Sequence, residues 1–127
     1  HSLEHSLSSF HQELPHGAGL IMLSHAYFAH LIHTHEIDDR FITLAQLLGN
    51  KNATKPEDFL TALEALKKAC AVQDLHMKDY HILPDEFPKM AHIAKSAMAF
   101  LFTNDRVTLS EDDCIAIYND AYHQGEN

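Results

Sequence analysis

The chemistry-bearing residues at the start of the chain are imidazoles. His1 and His5 stand four apart in HSLEHSLSSFHQELPHG, and His16 follows in a Leu-Pro-His-Gly step. Four residues is about one helical turn, so His1 and His5 project from one face of a helix. Pro15 suits the opening of a second helix and places His16 at its start. Imidazoles gathered in this way can hold zinc with an open coordination position, or join carboxylates around iron. Gly17 and Gly19 allow another group to approach His16 without a side chain intervening. No Asp or Glu stands at an obvious partner position: Glu4 projects from a different face from His1 and His5, and Glu13 falls in the turn. The local set therefore reads as part of a metal site whose other ligands come from elsewhere.

The remaining reactive side chains read more plainly. Of the 12 histidines, His25, His30, His33 and His35 run along and off the end of one helix, where the helix dipole favours positive charge. A second metal site on that run is the lesser reading. His76, His81, His92 and His123 read as surface or loop residues. The two cysteines, Cys70 and Cys114, fit no zinc spacing and no disulfide framework, and read as buried, reduced thiols of a cytoplasmic protein.

The elements that must carry these residues are helical throughout. A first helix is expected from Ser2 to about His11, and a second from Pro15 to Ile32 with Leu20, Leu23, Tyr27 and Leu31 as its buried stripe. Thr34 is placed to cap a third, bearing Glu36, Asp38 and Asp39 in its first turn and Ile37, Phe41, Leu44 and Leu48 inward, and ending at Gly49-Asn50. Thr54-Lys-Pro-Glu57 opens a fourth, with Glu57 placed for a capping box and Phe59, Leu60, Leu63, Leu66 and Cys70 on its buried face. Asp74 to Leu83 reads as a connection. Pro84 starts the next helix, which carries Met90, Ile93, Ala94 and Ala97. Ala99 to Leu109 reads as a loop, and Ser110-Glu-Asp-Asp113 caps a last helix bearing Ile115, Ile117, Tyr118 and Tyr122. No segment keeps a period-two pattern, so the expected fold is an all-α bundle of about six or seven helices.

Composition narrows the function classes. At 127 residues, with 46% apolar and 21% charged residues, the chain has the size and make-up of one globular domain. A net charge of −9 supplies no basic patch for a phosphate backbone and so argues against a nucleic-acid partner. The apolar stretch from Leu20 to Ile32 is broken by Ser24, His25 and His30 well short of the roughly 20 residues that span a bilayer, so no membrane partner is expected. No Gly-rich strand-to-helix turn that could cradle a pyrophosphate is present, so no nucleotide-binding residue is assigned.

The segment from His1 to Gly19 resembles the histidine signature of the iron-containing (group III) alcohol dehydrogenases. It shares the His-x-x-Glu-His pair, the Leu-Ser-Ser after it, and the Leu-Pro-His-Gly-Ala-Gly ending. GLIMLSHAYF, DLHMKDYHI with PDEFPKMA after it, and FTNDRVTLSEDDCIAIYNDAY extend the likeness to that family's helical C-terminal domain over essentially the whole chain. The spacing from His5 to His16 is one residue longer than is usual in the family, and the turn from Phe10 to Leu14 can absorb it.

The resemblance implies a dehydroquinate synthase-like α domain in which His1 and His16 are metal ligands and His5 lies beside them near the nicotinamide. There His5 is a candidate for proton relay, a task that suits imidazole. It implies Fe²⁺ or Zn²⁺ and NAD(P) as cofactors. It further implies two more ligands, an Asp and a His, and a nucleotide-binding α/β domain, none of them in residues 1–127. The loop from Phe102 to Arg106 is similar to residues bordering the family's substrate pocket, which would make Phe102 an apolar wall there; the alternative is that Phe102 caps the core.

The expected function is thus the C-terminal metal-binding domain of an enzyme that moves hydride between NAD(P) and a small alcohol or aldehyde. Its partner would be its own N-terminal nucleotide-binding domain, with a homodimer left open. Alone, the segment should be inactive and bind metal weakly. The competing class is a stand-alone helical metal-binding or interaction module without catalysis. An upstream α/β domain with an Asp-x-x-x-His pair separates the two.

Overall fold

A computed structural model describes residues 2–96 and 109–124 of the chain. Among them are six α-helices and no strand: α1 (Ser2–Phe10), α2 (His16–Thr34), α3 (Asp38–Leu47), α4 (Asp58–Ala69), α5 (Phe87–Ser96) and α6 (Glu111–His123). Two short 3₁₀ turns, Met77–Tyr80 and Pro84–Glu86, lie between α4 and α5. The all-α expectation holds. The expected loop from Ala99 and the pocket-bordering residues around Phe102 fall outside the described residues, as does Ala97. No helix among the described residues is long and apolar enough to cross a membrane.

The chain divides into two compact units, His1–Ala26 with Leu75–Asn127, and Tyr27–Asp74. In the first, α1 packs on α5 and α5 on α6. Leu7, Met77, Ile82, Phe87, Met90, Ile117 and Tyr118 are fully buried there. The Phe87 and Tyr118 rings stack with centroids 5.3 Å apart. Polar groups cross this core and are satisfied within it: the Ser6 hydroxyl donates to the Met90 carbonyl at 2.7 Å, and the Tyr118 hydroxyl to the Leu3 carbonyl at 2.6 Å. Burial pushes the Tyr118 pKa upward, so this hydroxyl stays a donor. At its edge, the His11 ring meets the Glu86 carboxylate at 2.8 Å while Glu86 accepts the Leu83 amide at 3.1 Å, tying the turn after α1 to the start of α5. The expected cap of α6 forms: Ser110 Oγ accepts the Asp113 amide and the Asp113 carboxylate accepts the Ser110 amide.

The second unit holds the end of α2 with α3 and α4. Phe28, Phe41 and Phe59 meet edge-on or tilted, with centroids 5.1 to 6.1 Å apart. Three expectations are corrected here. Thr34 does not cap α3. Its hydroxyl donates back to the Leu31 carbonyl at 2.6 Å and α2 continues through it, until His35 turns into the left-handed region at φ +57°. Asp58 rather than Glu57 supports the start of α4, its carboxylate accepting the Thr54 and Lys55 amides, and those bonds hold its pKa below the usual carboxylate value. The buried faces are also narrower than the sequence periodicity implies. Phe41, Ala45, Phe59 and Ala62 are covered, whereas Leu44, Leu47, Leu48, Leu66 and Cys70 are exposed. Two short helices and a helix end bury one side of each partner and leave the flanks to solvent.

Candidate functional site

The chemistry-bearing residues meet where the first helix faces the start of the second. α1 presents Leu3 and Leu7 to the core of the first unit, and Glu4 lies on that same face. After Phe10 the chain turns through Leu14, whose amide donates to the His11 carbonyl at 3.1 Å, and Pro15 leads into α2. His16 is the first residue of α2, in the position that Pro15 was expected to prepare.

This return brings His5 and His16 together, their rings stacked with centroids 5.1 Å apart and planes 21° from parallel. Both residues are exposed, the His16 side chain by 45%. His1, the other expected metal ligand, lies outside the described residues. Among the described residues no group of three or more His, Cys, Asp or Glu side chains could hold a metal ion, the histidines of α2 included.

The expectation that no acidic side chain partners these histidines is overturned. Glu4 is fully buried, and its carboxylate meets Nδ1 of His16. The Ser8 hydroxyl, one turn on, donates to the same carboxylate, 2.9 and 2.7 Å from its two oxygens. Glu4 does project from a different side of α1 from His5, but that side faces the first turn of α2. Gly19 shows how close the approach is: a Cβ added there would stand 2.7 Å from Glu4 Cδ and 2.9 Å from Cγ, distances that real side chains do not tolerate. Gly17 faces open space and has no such role. The signal available in the sequence was the position of Glu4 beside Leu3 and three residues before Leu7, the inward face of a short helix.

The two imidazoles brought together, His5 and His16, are of a ligand type that serves both Fe²⁺ and Zn²⁺, and further ligands would be needed to complete a site. A carboxylate placed at the first turn of α2 also lies at the positive end of that helix. The cysteines take no part. Cys114 is buried in α6, where desolvation pushes its pKa to about 11, and Cys70 is exposed in the second unit.

In comparison with known proteins, the family model described as "Fe-containing alcohol dehydrogenase family, C-terminal" matches residues 1–122. No curated protein and no solved structure matches the chain significantly.

Proposed function

The chain belongs to the Fe-containing alcohol dehydrogenase family, as its C-terminal domain, and on that premise we propose that it supplies the metal-binding half of an active site that moves hydride between NAD(P) and a small alcohol or aldehyde. The observation that carries this reading is the pairing of His5 and His16, side by side and solvent-accessible, at the junction of α1 and α2. His16 and His1 would hold Fe²⁺ or Zn²⁺, with the remaining ligands and the nucleotide site coming from a partner α/β domain. A divalent metal bound there supplies Lewis acidity toward an alcohol or carbonyl oxygen.

The chain's own residues account for the rest. His16 enters as the first residue of α2, with its side chain half-exposed beside His5. His5, stacked on His16, has a ring nitrogen within the same patch and takes up or returns the proton that accompanies hydride transfer. Beneath the site, Ser6 ties α1 to α5 and Tyr118 ties α6 to α1, which holds the helix that carries His5.

The test is metal content and NAD(P)H-linked aldehyde reduction in the full-length protein and two variants. His16→Ala should lose the metal and the activity together. His5→Ala should keep its metal and lose about 10²- to 10⁴-fold in rate, the usual reach of a proton-transfer group. Loss of metal in the His5 variant would remove the relay assignment. Full metal retention after His16→Ala would remove the ligand assignment.

A further inference from the structure

We propose that Glu4 is a positioning residue for His16: by accepting the Nδ1 proton it fixes the imidazole tautomer and aims Nε2 outward as the metal-binding atom. The proposal rests on the reading of His16 as a ligand and concerns what makes it an effective one.

Glu4 is fully buried, a costly location for a carboxylate unless its charge is matched. Among the described residues its partners are Ser8 and His16. Ser8 Oγ donates to the two oxygens, and His16 Nδ1 meets Oε1. An ionised carboxylate can only accept, so the proton of the Glu4–His16 bond belongs on Nδ1 and the ring's lone pair on Nε2. Metal-ligating histidines commonly donate their second ring N–H to a carboxylate, which sets ring orientation and raises ligand basicity. The His16 ring is thus held at its edge by Glu4 and on its face by His5 at 5.1 Å.

Gly19 is the independent sign that the arrangement is built. The first turn of α2 is bare where the carboxylate enters, and any Cβ there would collide with Glu4. A buried glutamate in need only of solvation could take that from Ser8 and water. Here the backbone of a second helix is cut back so that the carboxylate reaches a half-exposed imidazole.

The experiment uses the full-length protein labelled with ¹⁵N-histidine, and the Glu4→Gln variant, which keeps the side chain's size and removes its charge. In the metal-free wild type, at a pH where imidazole is neutral, His16 should appear as the Nδ1–H tautomer. In Glu4→Gln it should shift toward Nε2–H, and the Zn²⁺ dissociation constant should rise about 10- to 100-fold, with the circular dichroism spectrum unchanged. A wild-type His16 protonated on Nε2 overturns the proposal without recourse to any variant, so a poorly folding Glu4→Gln does not shield it. Zn²⁺ bound as tightly by a folded Glu4→Gln as by wild type overturns it too, while leaving His16 a ligand. A wild type that binds no Zn²⁺ at all removes the ligand reading, and the positioning role falls with it.

Discussion

The two units of this chain are built from the same element and stabilised in different ways. In the unit formed by His1–Ala26 and Leu75–Asn127, buried polar groups bind across long stretches of sequence: Ser6 to Met90, Tyr118 to Leu3, Glu4 to His16. In Tyr27–Asp74 the core is apolar, with Leu31, Ile32, Phe41 and Phe59 buried and Phe28 packed on the two rings, and the hydrogen bonds described there are local, as at Thr34 with Leu31 and Asp58 with Thr54. The candidate site lies in the first unit. A half-exposed imidazole needs rigid support, and buried, directional hydrogen bonds fix orientation in a way that ring packing does not. The second unit, with several leucines at its surface, carries no such network among the described residues.

The sharpest way to test this contrast is to empty each core. Phe87→Ala removes a fully buried ring stacked on Tyr118 and should cost about 3–5 kcal/mol in chemical denaturation. Phe59→Ala, in a core with exposed flanks, should fall at the lower end of that range. Hydrogen exchange should show lost protection concentrated in the unit that was altered. Equal loss in both units after either substitution would merge them into one cooperative body.

A smaller effect separates two glycines of one helix. Gly19→Ala drives a methyl into the Glu4 carboxylate and should cost about 1–3 kcal/mol, as overpacking does. It should also weaken metal retention. Gly17→Ala enters open space on a helix and should be neutral or stabilising by about 0.5–1 kcal/mol. Equal melting temperatures for the two variants would break the claim that the α1–α2 contact is closely fitted.

The smallest effect uses the cysteines, one in each unit. Cys70 should react with a thiol reagent at once, and Cys114 only as its unit opens. Because burial raises the Cys114 pKa from 9.0 to about 11, the unfolded chain loses that proton first. The contribution to stability is therefore complete below pH 9 and declines as pH rises toward 11. Cys114→Ala should flatten that alkaline decline. An unchanged slope would mean that other groups cause it.

Local chemistry was legible in the residues. The Ser110–Asp113 box, the Pro15 entry to α2 and the stop at Gly49, with φ +115°, follow from caps and backbone preferences that act within a few residues. Thr34 and Glu57 show where such reading fails. A hydroxyl can bond backward as well as forward, and of two adjacent carboxylates either can take the amides. Leu66 and Cys70 failed for another reason: periodicity gives a face, and only neighbours decide how wide a strip of it is covered.

The same division applies to the site. The sequence alone set His1, His5 and His16 at a spacing that resembles a family signature, and it led to the helices α1 and α2 that bear His5 and His16. It could not determine the partner of His16, because helical spacing compares side chains on one helix, and Glu4 acts across a turn on another. The fold of α1 against the start of α2 joined a buried carboxylate, a bare glycine and an imidazole. That contact depends on where two helices meet, and it became visible only in three dimensions.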